Sequence, residues 1–187
     1  MHLVVNGLRH EIRAGGLTSL LRVLREELFI LSPKAGCEQG GCGSCTVLID
    51  GEPRRSCLVA VAAIDGAEVT TVEGLSDGVD LAPIQQAFYD SYASQCGFCS
   101  PGMMMAATAL LSHTPDASRE QIREALEGHI CRCTGYVKIL DAVGEALHGR
   151  HLGALDRGDR RQTGAPRLTV DQHRAGAAAT LLTAGLR

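Results

Sequence analysis

The chain has no tryptophan and only three Tyr and three Phe in 187 residues. It also lacks a clustered Lys/Arg face interleaved with aromatic residues, which is the pattern of nucleic-acid-binding proteins. The formal net charge is only −3, although residues 151–187 hold six Arg against three Asp. We therefore do not expect nucleic acid as a partner, and the scarcity of large side chains predicts modest hydrophobic cores.

Long apolar runs are missing as well. No stretch approaches the roughly 20 apolar residues that a helix needs to span a bilayer, and the N-terminus lacks the basic region and apolar segment of a secretory signal. We therefore expect a cytoplasmic protein without a membrane span. The sequence also has no nucleophile–base arrangement and no Gly-rich dinucleotide fingerprint, so we expect no substrate chemistry on this chain alone.

Cysteine, by contrast, is plentiful, and all eight cysteines fall into two sets of four. The first set is Cys37, Cys42, Cys45 and Cys57, and the second set is Cys96, Cys99, Cys131 and Cys133. Without an export signal, this count favours metal ligation over disulfides. Four thiolates per site is the ligand number of a [2Fe–2S] cluster, so two such sites indicate electron transfer rather than catalysis.

The spacing of the first set is the more specific of the two. Four residues separate Cys37 from Cys42 and two separate Cys42 from Cys45, which is the plant-type ferredoxin run. A structural zinc site also uses four cysteines but usually brings two short pairs. The glycines of GCEQGGCGSC allow a tightly wound loop whose backbone N–H groups point at sulfur. A [2Fe–2S] cluster is favoured here, with zinc as the alternative.

The second set is compatible with three kinds of site. A Cys-x-x-Cys pair such as Cys96 and Cys99 occurs in zinc ribbons, redox dithiols and iron–sulfur clusters. The Cys-x-Cys pair that completes the set is tight for one zinc ion but suits two irons, and a redox dithiol would leave it unexplained. A Rieske-type role for the neighbouring His129 would require a second histidine, so we expect His129 to pack or to form hydrogen bonds.

Two hairpins are predicted in the first part of the chain. Residues 2–13 alternate apolar and polar about Asn6-Gly7, and both turn positions favour positive φ. Asp50-Gly51 is a second such signal, between TVLID and a strand expected over residues 54–58. A further short strand is expected over residues 67–72.

One helix is expected between these hairpins, with Thr18 as its N-cap and an end near Leu28. Together, the strands and this helix predict an α+β domain over residues 1–75, in which a sheet grips one helix. A Gly/Asp-rich stretch before Pro83 predicts a linker over residues 76–82.

The second part of the chain, residues 83–150, has helical periodicity. Pro83 suits the first position of a helix, and Ser118 with Gln121 forms a capping box for another. Four helices are expected, which indicates a small bundle. The pattern weakens over residues 151–187, for which we expect an irregular or mobile tail.

These motifs resemble those of the small iron–sulfur subunit of the molybdenum hydroxylases. The resemblance covers about residues 1–150 and rests on GCEQGGCGSCTVLIDGEP, SCL, TTVEGL, PIQQAF, QCGFCSPGM and GHICRCTGY, in that order. The family includes xanthine dehydrogenase, aldehyde oxidoreductase, aerobic carbon monoxide dehydrogenase and bacterial N-heterocycle hydroxylases. One departure is His129, which stands where the family usually has Asn.

The resemblance implies an N-terminal ferredoxin-like β-grasp domain followed by a C-terminal four-helix bundle, each with one [2Fe–2S] cluster. It implies that the first set of cysteines holds the cluster nearer the flavin and the second set the cluster nearer the molybdenum. Gln95 matches the family position that hydrogen-bonds to the pterin of the molybdopterin cofactor. Cys133 lies in a segment that also approaches this cofactor.

The resemblance further implies an electron-transfer subunit of an oxidoreductase. In this family a substrate is hydroxylated with oxygen from water at molybdenum, and the electrons leave singly through the two clusters to FAD. The expected partners are a large molybdenum-binding subunit together with a medium FAD-binding subunit, in a dimer of heterotrimers. Two other functions remain open, namely a free-standing ferredoxin-like electron carrier and a zinc-stabilised interaction module.

Overall fold

The computed structural model describes residues 1–76 and 79–147. The described residues form a mixed sheet with five strands, β1 (His2–Val5), β2 (Leu8–Glu11), β3 (Thr46–Ile49), β4 (Glu52–Arg55) and β5 (Glu68–Thr70). The strand order is β2-β1-β5-β3-β4, in which β1 and β5 are parallel and the other neighbours antiparallel. With the helices described below, this sheet confirms the predicted α+β class.

Both predicted hairpin turns are confirmed. Asn6 and Gly7 have φ values of 51° and 78°, and Asp50 and Gly51 have values of 50° and 84°. Two consecutive positive φ values give the turn a twist that matches the twist of the flanking strands. The turn residues therefore determine the register of β1 with β2 and of β3 with β4.

Two strand predictions were wrong at their ends. The expected strand over residues 54–58 begins earlier, at Glu52, and ends at Arg55, where Ser56–Leu58 turns into a 3₁₀ helix. The Asp50-Gly51 turn leaves no residue between itself and β4, so pairing starts directly after it. The expected strand over residues 67–72 is shortened to β5 because Val72–Gly74 forms another 3₁₀ turn.

The helix that packs on the sheet is capped by Ser19, not by Thr18 as predicted. Its first turn, α1 (Leu20–Arg22), continues directly as a π-helix over Val23–Glu27. The Ser19 hydroxyl accepts the Arg22 N–H at 3.3 Å, whereas the Thr18 backbone already bonds to Gly15 and Val61. Buried leucines on this helix pack against the inner face of the sheet.

Four helices follow within the described residues: α2 (Pro83–Asp90), α3 (Ser100–His113), α4 (Arg119–Ala125) and α5 (Val137–Leu147). Pro83 begins α2, and the Ser118–Gln121 capping box begins α4, as predicted. Helix α5 packs against α2 and α4, while α3 also packs against β3 and β4. Phe88, Met103 and Ile139 are among the residues of the helical core.

No helix within residues 1–76 and 79–147 is long and apolar enough to cross a membrane. The predicted tail over residues 151–187 lies outside the described residues, as do two positions of the predicted linker.

Candidate metal centres

The first set of cysteines gathers at one end of the β3–β4 hairpin. Cys37, Cys42 and Cys45 lie in the loop before β3, and Cys57 lies in the 3₁₀ turn after β4. Thr46 pairs with Arg55 at the open end of this hairpin. The hairpin therefore brings Cys57 close to Cys45, which is the last cysteine of the loop before β3.

The loop of the first site winds tightly around its sulfur atoms. Glu38, Gly40 and Gly43 have φ values of 53°, 80° and 74°. The positive φ of Gly40 favours glycine there, and a Cβ atom would also lie 2.5 Å from the exposed Leu58 side chain. Backbone N–H groups point at sulfur in this loop, since Gln39 donates to Cys37 Sγ at 3.4 Å.

The thiols of the first site lie in two pairs, Cys37 with Cys42 and Cys45 with Cys57. The N–H of Gln39 and then the Cys42 thiol lower the pKa of Cys37 to about 7. Burial and then the Cys45 thiol raise the pKa of Cys57 to about 11. The site therefore combines one thiol that ionises readily with one that keeps its proton until a metal displaces it.

The second set gathers between three helices. Cys96 and Cys99 lie just before α3, while Cys131 and Cys133 lie in the connection from α4 to α5. Cys133 Sγ lies 3.5 Å from Cys96 Sγ, and the Cys99 thiol contacts that of Cys131. Burial and then the Cys131 thiol raise the pKa of Cys99 to about 12. This set, like the first, is arranged as two pairs.

The arrangement in pairs fits a binuclear cluster better than a single ion. In a [2Fe–2S] cluster the four thiolates are divided between two irons. A redox dithiol at Cys96 and Cys99 would not account for the two further thiols that face them.

The connection that carries Cys131 is held by two polar side chains. The Thr134 hydroxyl lies 3.0 Å from Cys131 Sγ, and the Tyr136 hydroxyl accepts the Cys131 N–H at 2.9 Å. Tyr136 has a φ of 69°, which a bulky residue adopts only when its surroundings hold it there. The motif that contains these residues was recognised in the sequence, but their roles were not predicted.

The two sites are joined by a backbone hydrogen bond. The N–H of Ile130, next to Cys131, donates to the carbonyl of Cys42 at 3.0 Å. Close by, a Cβ atom on Gly102 of α3 would collide with the Gly43 carbonyl oxygen. Glycine at this position lets α3 approach the first loop directly.

Side-chain hydrogen bonds reinforce this junction around His129. Its Nε2 lies 2.8 Å from Arg55 Nη1 and 3.1 Å from Thr46 Oγ1. Arg55 Nη2 also donates to the Gly128 carbonyl at 3.1 Å. His129 is buried and hydrogen-bonded, as its sequence context predicted. The role of Arg55 was not predicted, because its place two residues before Cys57 does not indicate that it meets His129.

The residues expected to face the molybdopterin cofactor lie at the surface. Gln95, Cys96 and Cys133 are exposed, whereas Cys99 is buried. Exposed apolar side chains of Phe98 and Ile130 lie close to them in sequence. The second site therefore has one edge open to solvent.

Two family profiles match the chain. One is described as a 2Fe-2S iron-sulfur cluster binding domain and matches residues 10–89. The other is described as a [2Fe-2S] binding domain and matches residues 71–144. The first range contains the whole first set of cysteines, and the second range contains the whole second set.

Two curated relatives align with most of the chain. A nicotinate dehydrogenase subunit of Pseudomonas putida is 47% identical over 148 residues, which cover 79% of this chain and 94% of the relative. The xanthine dehydrogenase iron-sulfur-binding subunit of Escherichia coli O157:H7 is 44% identical over 141 residues, which cover 74% of this chain and 88% of the relative.

A solved structure has the same fold. A chain of quinoline 2-oxidoreductase from Pseudomonas putida 86 superimposes with a TM-score of 0.77 at 42% sequence identity. The match covers 80% of this chain and 93% of the other.

Proposed function

Because the chain belongs to the family of small iron–sulfur subunits of the molybdenum hydroxylases, we propose that it relays single electrons from a molybdenum–pterin centre to FAD. Its relatives are subunits of dehydrogenase and oxidoreductase complexes. The chain is accordingly the electron-transfer subunit of an oxidoreductase and holds [2Fe–2S] clusters. When bound, these clusters accept and release one electron at a time.

The observation that carries the proposal is the hydrogen-bonded junction between two cysteine sites. The proposed ligands of the first cluster are Cys37, Cys42, Cys45 and Cys57, and those of the second are Cys96, Cys99, Cys131 and Cys133. A ligand of the first site accepts a hydrogen bond from the residue next to a ligand of the second. A rigid junction of this kind keeps the two sites at a fixed separation, as stepwise electron transfer requires.

The finer fold assignment is part of the proposal. The mixed sheet with its packed helix supports a ferredoxin-like β-grasp domain over residues 1–75. The helices α2–α5, which share one core, support a four-helix bundle over residues 83–150. The linker would then be residues 76–82.

The open edge of the second site supports its place nearest the molybdenum. Gln95 and Cys133 are exposed there, and we propose that they contact the molybdopterin of a large partner subunit. The first site would then face a medium FAD-binding subunit. We further propose a cytoplasmic complex that assembles as a dimer of heterotrimers.

Purification of the chain with its partners tests this function. We expect about four iron atoms and four acid-labile sulfides per chain, and two rhombic electron paramagnetic resonance (EPR) signals after reduction. Molybdenum and FAD should co-purify in a fixed ratio to the chain. Zinc in place of iron and sulfide would support the interaction module instead. Two clusters in a chain that never co-purifies with molybdenum or FAD would support the free ferredoxin-like carrier.

A further inference from the structure

The side-chain hydroxyl of Thr134 lies within hydrogen-bond distance of the Cys131 sulfur. The Tyr136 N–H donates to Thr134 Oγ1 at 3.2 Å, and the same oxygen lies 3.0 Å from Cys131 Sγ. A backbone N–H can only donate, so it occupies a lone pair of the hydroxyl oxygen. A metal-bound thiolate carries no proton, so in the loaded site Thr134 must donate and Cys131 must accept.

Tyr136 holds this geometry in place. Its hydroxyl accepts the Cys131 N–H at 2.9 Å and donates to the His129 carbonyl at 3.1 Å. The Thr134 N–H also points to Cys131 Sγ, at 3.4 Å. Thr134 therefore places both its hydroxyl and its backbone N–H at the sulfur of Cys131. Tyr136 holds this connection through its hydrogen bonds to the backbone of Cys131 and of His129.

The first site has no equivalent bond among the residues that the structure describes. Its sulfur atoms are hydrogen-bonded by backbone N–H groups, among them Cys37 N–H to Cys42 Sγ and Gln39 N–H to Cys37 Sγ, each at 3.4 Å. The second site adds a side-chain hydroxyl at a shorter distance. The two sites therefore differ in the kind of group that donates to their sulfur atoms.

Hydrogen bonds to the sulfur ligands tune the reduction potential of an iron–sulfur cluster. A reduced cluster carries one more negative charge than an oxidised cluster, so a donor stabilises it more and raises the potential. We propose that Thr134 is a positioning residue whose hydroxyl bond to Cys131 raises the reduction potential of the second cluster. This inference rests on the proposed function, because it requires a [2Fe–2S] cluster at the second site.

The test is an EPR-monitored redox titration of the purified complex, carried out for the wild type, T134V and T134S. Valine keeps the branched shape and removes the hydroxyl, whereas serine keeps the hydroxyl. We expect T134V to shift the midpoint of the second cluster to lower potential and to leave the first cluster unchanged. T134S should lie closer to the wild type than T134V does.

The variant Y136F separates direct donation from loop distortion, because it loses two loop hydrogen bonds but keeps the Thr134 hydroxyl. A smaller shift in Y136F than in T134V supports the proposal. Equal shifts in both variants, an unchanged T134V midpoint, or loss of the second cluster in T134V alone would overturn it. Absence of two iron–sulfur EPR signals in the wild type would instead contradict the proposed function.

Discussion

Arg55 Nη1 lies 2.8 Å from His129 Nε2, across the junction between the sheet and the α4–α5 connection. Arginine can only donate, so Nε2 accepts and the proton of the imidazole lies on Nδ1. Nδ1 itself is buried without a hydrogen-bond partner. Burial and then the Arg55 charge lower the pKa of His129 to about 4. The ring is therefore neutral near pH 7, and its Nε2 accepts the hydrogen bond from Arg55 that stabilises the junction.

Replacing Arg55 with methionine should weaken this junction. R55M keeps an apolar stem but removes the guanidinium that donates to His129 Nε2 and to the Gly128 carbonyl. We expect a loss of about 1–3 kcal/mol in the free energy of unfolding, measured by chemical denaturation followed through the visible absorption of the clusters. R54M is the matched control, since Arg54 is the exposed neighbour on β4. Equal losses in both variants would contradict the role of Arg55.

Two glycines in helices should respond to alanine in opposite ways. The added methyl of G102A would collide with the Gly43 carbonyl oxygen, and we expect a loss of about 1–3 kcal/mol from the forced separation of α3 and the first loop. Around Gly144 in α5 there is open space for a methyl. G144A should therefore stabilise the chain by up to about 1 kcal/mol through helix propensity. Thermal unfolding of the two variants measures the contrast, and a neutral G102A would contradict the close approach.

Serine substitutions should remove one cluster at a time. We expect C57S to lose one rhombic EPR signal and C99S to lose the other, with iron falling from about four to about two atoms per chain. Each cysteine lies in a different set of thiols, so the remaining site keeps all its ligands. A C99S variant that keeps both signals would contradict the ligand assignment.

Acid should weaken the contact between Glu73 and the segment before the first site. Burial alone would raise the pKa of Glu73, but hydrogen bonds from Ser32 and Thr71 outweigh it, and the pKa is lower than its ordinary value of 4.5. The folded state thus favours the carboxylate. Its contribution to stability is fully present above that ordinary value and is lost as the pH falls through the lower folded value.

Comparison of the wild type with E73Q at several pH values measures this contribution. We expect the unfolding midpoint of the wild type to exceed that of E73Q at neutral pH and the difference to shrink below about pH 4.5. E68Q, which changes an exposed carboxylate on β5, is the control and should show little difference at any pH. A gap between wild type and E73Q that does not change with pH would contradict the pKa argument.

The sequence predicted those features that depend on neighbouring residues. Asn6-Gly7 and Asp50-Gly51 determine their own turns through local φ preferences, and the Ser118–Gln121 capping box closes within one helical turn. The wrong prediction of Thr18 as the cap has a tertiary cause, because the Thr18 backbone bonds to Gly15 and Val61. Local propensity alone does not contain that information.

The junction between the two sites was beyond sequence reasoning for the same reason. Arg55 and His129 belong to different elements, and nothing in their immediate neighbours indicates that they meet. The requirement for glycine at position 102 was not predictable either, because it arises from the close approach of Gly43 in a distant loop. The cysteines were recognisable because spacing is itself a local property, whereas their division into pairs required the folded chain.

The open edge of the second site has a consequence for the chain before it meets its partners. Cys96 and Cys133 are exposed with their sulfur atoms 3.5 Å apart, while Cys99 is sheltered at the start of α3. A reagent from solvent therefore reaches Cys96 and Cys133 before it reaches Cys99.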